Sequence, residues 1–161
     1  MEIRRALPTE ADELTRITQA SKQHWQYPQA YLDLWNSLNL LTISVDYVVN
    51  HPVFVAVGKT HGTDNIMGYC ACAGTGQTQE LDNLFVSPAY IGQGVGQALL
   101  LYSLAYMRQQ GARAVRIVSD PHAVAFYQKF GARHISDVPS LPEGRQLPLL
   151  QIDLEAIARD G

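Results

Sequence analysis

Leu84-Phe85-Val86-Ser87-Pro88-Ala89-Tyr90-Ile91-Gly92-Gln93-Gly94-Val95-Gly96-Gln97-Ala98-Leu99-Leu100 decides how the chain is read. Glu80 to Val86 reads as a strand, and Ser87-Pro88 stops it. Gly92, Gly94 and Gly96 then fall within five positions, just before a long apolar helical pattern from about Gly96 to Gln110. Glycines at such a turn let the backbone bend tightly and let a ligand approach the amide N–H groups. Those groups also sit at a helix N-terminus, where they lack intrahelical partners and the dipole favours an anion such as pyrophosphate. Two familiar nucleotide patterns do not fit. A G-x-G-x-x-G fingerprint from Gly92 needs glycine where Gln97 stands, and a P-loop needs lysine there.

A second block, Ser119-Asp120-Pro121-His122-Ala123-Val124-Ala125-Phe126-Tyr127-Gln128-Lys129-Phe130-Gly131-Ala132, lies about thirty residues further on. Together the two blocks resemble the GNAT superfamily of acyl-CoA-dependent N-acyltransferases. The first is similar to that family's Arg/Gln-x-x-Gly-x-Gly/Ala motif: Gly94 and Gly96 match, while Ile91 replaces the usual Arg or Gln. The second is similar to Asn-x-x-Ala-x-x-Phe-Tyr-x-x-x-Gly-Phe/Ala: Ala123, Phe126, Tyr127, Gly131 and Ala132 match, and Asp120 stands where Asn is usual.

Working outward, Ile3 to Ala6 reads as a first strand. Thr9 is the expected cap of a helix through Leu14 and Ile17, with Asp12 three residues on. Tyr31, Leu34, Trp35, Leu38 and Leu41 predict a second helix after Pro28. Thr42 to Asn50 fits a short helix or an extended linker. Val53 to Val57 is a strand ended by Gly58, the turn lies at His61 to Asn65, and Ile66 to Ala73 returns. Ala114 to Val118, Ala132 to Val138 and Leu147 to Leu154 supply further strands, and a helix runs from Asp120-Pro121 to Gly131. A strand–helix–strand crossover makes two strands parallel. The expected fold is α/β (α+β): a mixed, mostly antiparallel sheet of about 6–7 strands with about four helices on both faces.

Composition agrees with a single domain over 1–161, at 47% hydrophobic and 17% charged residues. Twelve basic against fifteen acidic side chains give a formal charge of −3, without the basic excess of a nucleic-acid binder. No apolar run approaches membrane-spanning length. Met1-Glu2-Ile3-Arg4-Arg5 lacks a secretory pattern, and only Cys70 and Cys72 are present, so the cytoplasm is the expected compartment. Two cysteines on one strand face read as buried small hydrophobes. His24, His51, His61 and His134 are scattered, so no metal site is expected.

The resemblance implies transfer of an acetyl group from acetyl-CoA to a primary amine by direct attack in a ternary complex. It places pantetheine along Leu84, Phe85 and Val86, and pyrophosphate on Ile91, Gly92, Gln93, Gly94, Val95, Gly96 and Gln97. Asp120, Phe126, Tyr127 and Lys129 would complete the cofactor site. Tyr127 stands at the family's tyrosine beside the CoA sulfur, where a phenol, protonated at neutral pH, can donate. Asp82 matches the family's acidic position on the fourth strand and is the expected base, with Glu80 second and His122 a rival. The acceptor region corresponds to the first two helices and the last strands, giving His24, Trp25, Tyr27 and Arg145. Aromatics there suit an amine, and Arg145 suits a carboxylate or phosphate. A small-molecule acceptor is the first reading. A protein or peptide amine, or a non-catalytic acyl-CoA sensor, are the alternatives, and homodimers are common in the family.

Overall fold

Val53, Val55 and Val57 alternate with Phe54 and Ala56, so the strand they form is apolar on both faces and buried throughout that run. In the computed structural model, which describes residues 1–155, the elements follow in the order β1 (Glu2–Arg5), α1 (Ala11–His24), α2 (Gln29–Ser37), α3 (Val45–Asn50), β2 (Val53–Thr60), β3 (Thr63–Ala73), β4 (Thr78–Val86), α4 (Val95–Gln109), β5 (Ala114–Val118), α5 (Val124–Gln128), β6 (Arg133–Pro139) and β7 (Gln146–Asp153). Seven strands form one mixed sheet in the order β1-β2-β3-β4-β5-β7-β6. Five helices, rather than about four, are present among the described residues, because the ambiguous stretch before His51 is helical, capped by Ser44 Oγ accepting the Tyr47 N–H.

The chain packs as two compact units. The first comprises Met1–Ala71 with Asn83–Ser103, the second Cys72–Asp82 with the described residues 104–155. In the first unit β1 and β3 flank β2, both antiparallel. Leu14 and Ile17 of α1 and Val48 of α3 pack with Val53, Val55, Val57 and Tyr69 on one face. On the other face Phe54 meets the Tyr102 ring of α4 at 4.9 Å, and the Cys70 thiol points at the Leu99 carbonyl. Helices therefore cover both faces here, and both cysteines are buried. The buried Tyr69 hydroxyl lies 2.6 Å from Thr18 Oγ1, whose own proton goes to the Leu14 carbonyl at 2.8 Å, so the phenol is the donor.

In the second unit β4 runs parallel to β5 through the α4 crossover, with Thr78 opposite Ala114. β7 enters antiparallel between β5 and β6, burying Val115, Ile117, Leu150 and Ile152. Buried Gln79 donates from Nε2 to the carbonyls of Gly76 and Gln110, tying the start of β4 to the end of α4.

Three local expectations change. Thr9 does not cap α1: a 3-10 turn over Pro8–Glu10 precedes it, and the Glu10 carboxylate accepts the Leu7 N–H at 2.8 Å. Glu10 also binds Arg4 through two parallel bonds of 2.9 and 2.8 Å, which hold its carboxyl below the usual carboxylate range. The second helix ends at Ser37, because Asn39 takes a left-handed φ of 57°; Leu41 instead folds back onto Leu32 and Trp35. Gly58 does not end β2, which continues to Thr60; a Cβ at Gly58 would meet the Met67 sulfur at 2.7 Å.

Candidate active site

The glycine turn lies in the first unit. Gly92 and Gly94 have φ of 83° and 81°, and the space where a Cβ would stand is open at both. Only glycine holds that backbone without strain. Gly96 lies in the first turn of α4, half-buried. The helical ladder opens with the Ala98 N–H on the Gly94 carbonyl at 3.0 Å. Helix geometry leaves the N–H groups of Val95, Gly96 and Gln97 ahead of that ladder, beside the exposed turn of Gly92, Gln93 and Gly94. An open cradle of backbone donors at the positive end of a 15-residue helix fits a pyrophosphate. Ile91 is 40% exposed in extended conformation, so the position offers an apolar side chain where the family motif has a polar one.

Leu84, Phe85 and Val86 form the half-buried end of β4. Two contacts fix this segment. The Ser87 N–H donates to the Met67 carbonyl at 2.8 Å. Gly68 on β3 comes so close that a Cβ there would lie 2.8 Å from the Phe85 carbonyl oxygen and 3.1 Å from side-chain carbons of Leu99 and Val95. Gly68 thus lets β3, β4 and the start of α4 approach one another, a role the sequence reading did not assign. Asn83 donates to the Tyr47 hydroxyl at 2.8 Å, and Tyr47 stacks on His51 with ring centres 4.2 Å apart. These three residues had no place among the expected site residues either.

The acceptor candidates of this unit separate. His24 and Trp25 are exposed and meet edge to face at 4.9 Å. Tyr27 turns inward, edge to face with Trp35 at 5.0 Å. The Lys22 ammonium is held over three rings, 5.2 Å from the centre of Tyr27, 5.2 Å from Trp35 and 5.4 Å from Phe85. All three lie within cation–π range. Tyr27 is the one of these rings that the sequence offered as a candidate aromatic for an amine. Trp35 and Phe85 were not so offered, because nothing local in sequence joins them to it.

The second unit carries the remaining candidates. Glu80 and Asp82 are exposed on the same face of β4, two residues apart. Tyr127 is buried on α5, with the Phe126 ring edge to face at 5.1 Å and Phe130 next to Phe126 at 5.4 Å. The helix stops where Gly131 takes a φ of 90° and the Ala132 N–H returns to the Tyr127 carbonyl. Asp120 leads into the turn Pro121–Ala123 through its carbonyl, which accepts the Ala123 N–H; its side chain does not cap that turn. His122 and Lys129 are exposed. Arg145 closes its own loop: its carbonyl accepts the Ser140 N–H at 2.8 Å, and its guanidinium points at Ser140 Oγ and the Leu141 carbonyl at 3.5 and 3.4 Å. Among the described residues no group of three or more His, Cys, Asp or Glu side chains is placed to hold a metal ion. No helix there is long and apolar enough to cross a membrane.

Comparison with known proteins bears on these features. An uncharacterised N-acetyltransferase of Prochlorococcus marinus is 30% identical over 67 residues, covering 41% of this chain; the match spans 37% of that relative's length. Among solved structures, a GCN5-related N-acetyltransferase from Rhodopseudomonas palustris superposes with a TM-score of 0.75 at 19% identity, covering 94% of each chain. The PaiA N-acetyltransferase from Thermoplasma acidophilum, solved in complex with coenzyme A, gives 0.70 at 17% identity, covering 94% of this chain and 98% of its own. At those identities the likeness is one of fold. Residues 12–132, which include the glycine turn, β4 and Tyr127, match the acetyltransferase (GNAT) family, and the chain belongs to that family.

Proposed function

We propose that residues 1–161 act as one cytoplasmic N-acetyltransferase domain, moving an acetyl group from acetyl-CoA to a primary amine of a small molecule by direct attack in a ternary complex. The observation that carries this reading is the cradle at Gly92 to Gln97: two left-handed glycines, open space above them and helix N-terminal amides facing one exposed turn. Backbone donors register in no charge count, so a chain of net charge −3 can hold a polyanionic cofactor.

The thioester supplies the activated acetyl group. The protein's share is positioning and proton movement. Backbone N–H groups of Leu84 to Val86 would bond the pantetheine amides strand-fashion and stabilise negative charge on the carbonyl oxygen. The attacking amine must be neutral, so its proton passes to Asp82 through water, with Glu80 as the second candidate. Tyr127, buried on α5, would donate to the departing sulfur. Of the aromatics near the end of α1, His24 and Trp25 are exposed and would meet an incoming amine, whereas the Tyr27, Trp35 and Phe85 rings already hold the Lys22 ammonium.

The test is thiol release from acetyl-CoA across a panel of small amines and of peptides with free N-termini. Turnover with a small amine supports the reading. Turnover with peptides alone moves the acceptor to a protein. Tight acetyl-CoA binding without turnover on any amine replaces the enzyme with a sensor.

A further inference from the structure

The cage around Lys22 already contains a primary alkylamine. Lys22 leaves the last turn of α1, and its nitrogen is fixed by rings from three separate elements: Tyr27 in the linker after α1, Trp35 on α2 and Phe85 on β4. Phe85 lies between Leu84 and Val86, the backbone given above to the acyl thioester. The amine is therefore held 5.4 Å from a side chain on the segment that would carry the reacting carbonyl. Few rival nitrogens exist. The chain has three lysines, and the others, Lys59 near the end of β2 and Lys129 after α5, are exposed.

We infer that Lys22 is an internal acceptor: the protein acetylates its own Lys22 from acetyl-CoA. The inference rests on the function proposed above. The Lys22 ammonium gives a proton to water, and the neutral nitrogen forms a bond to the carbonyl carbon. The carbon–sulfur bond breaks, and sulfur leaves with a proton as the CoA thiol. One acetyl group is gained and one proton is released overall. The product is a neutral amide, so the formal charge of the chain goes from −3 to −4, and the three rings lose the cation they hold. Because the nitrogen belongs to the chain that binds the cofactor, the step is first order in protein and benefits from proximity that a solution-exposed lysine lacks.

Full-length protein is incubated with deuterium-labelled acetyl-CoA, which separates new acetyl groups from any acquired during expression, and each lysine is followed by peptide mass spectrometry. Lys22 is expected to label at least about tenfold faster than Lys59, with a rate constant independent of protein concentration. Tyr27→Leu, which removes one wall of the cage, is expected to lower the Lys22-to-Lys59 ratio. Equal labelling of Lys22 and Lys59, or a Lys22 rate constant that rises with protein concentration, overturns self-acetylation. If acetyl-CoA raises the melting temperature but Lys22 labels no faster than Lys59, only this inference falls. If acetyl-CoA gives no stabilisation, the proposed function falls with it.

Discussion

Gly68 and Phe85 are in backbone contact: the hydrogen on the Gly68 Cα faces the Phe85 carbonyl, and a methyl group in its place would stand 2.8 Å from that oxygen. The obstructing atom is backbone, which cannot rotate away, and the Val95 and Leu99 side chains close the remaining space at 3.1 Å. Gly68→Ala is therefore expected to destabilise the protein by about 1–3 kcal/mol, as overpacking does. It is also expected to weaken acetyl-CoA binding, because the displaced atoms belong to β4 and the start of α4. Denaturant unfolding and acetyl-CoA titration of the variant check both effects.

Gly94→Ala separates binding from folding in the opposite sense. The site is open, so no clash arises, but alanine at a φ of 81° carries a left-handed penalty of about 1 kcal/mol. Relaxing it would turn adjacent amides away from a shared anion. Loss of one such charge-assisted bond is worth about 1.5–3 kcal/mol, or roughly 10–100-fold in affinity. Calorimetric titration should show that loss with only a small fall in melting temperature.

Tyr127→Phe keeps the buried ring and removes only the hydroxyl. Turnover is expected to fall about a hundredfold, within the range for general acid–base groups, while acetyl-CoA affinity changes little. Steady-state kinetics alongside equilibrium titration reads the two separately; unchanged turnover would remove Tyr127 from the proton-transfer role.

The Arg4–Glu10 pair predicts an acid-sensitive contribution to stability. The guanidinium hydrogen bonds lower the folded-state pKa of Glu10 from its ordinary value of 4.5. Stability from this pair is thus fully present above about pH 4.5, and it is lost as the pH falls from there through the depressed folded-state value. With the two side chains 34% and 17% exposed, solvent screening leaves about 1 kcal/mol. Glu10→Gln should melt lower than the parent at pH 7, and the gap should close as both are titrated below pH 4.5.

The glycine turn and α4 were legible because glycine is favoured where the backbone is left-handed, as at Gly92 and Gly94, and because a long apolar run at helical spacing follows. The β4–α4–β5 crossover followed from the order of elements. Elements whose ends depend on distant neighbours were not legible. Leu41 continues the helical spacing of α2, yet the chain turns at Asn39 and brings Leu41 back to Trp35. Gly58 looked like a strand end but is the place where Met67 crosses close to the backbone. β7 pairs between β5 and β6, a choice made by the matching of Val115 with Ile152 and Ile117 with Leu150. In the site, Tyr127 and the cradle were readable as motif positions. The Lys22 cage was not, since Tyr27, Trp35 and Phe85 share no spacing and meet only when α1, α2 and β4 have packed.

The central claim is that the amides at Gly92 to Gln97 bind an acyl-CoA. Thermal unfolding of the protein with and without acetyl-CoA tests it most directly. Ligand at about 100 times its dissociation constant stabilises a folded state by about 2.7 kcal/mol, which for a chain of this size raises the melting temperature by roughly 5–10 °C. That rise is expected in the parent, and a much smaller one in Gly94→Ala at the same ligand concentration. No rise with any acyl-CoA, or an equal rise in both proteins, would contradict the claim.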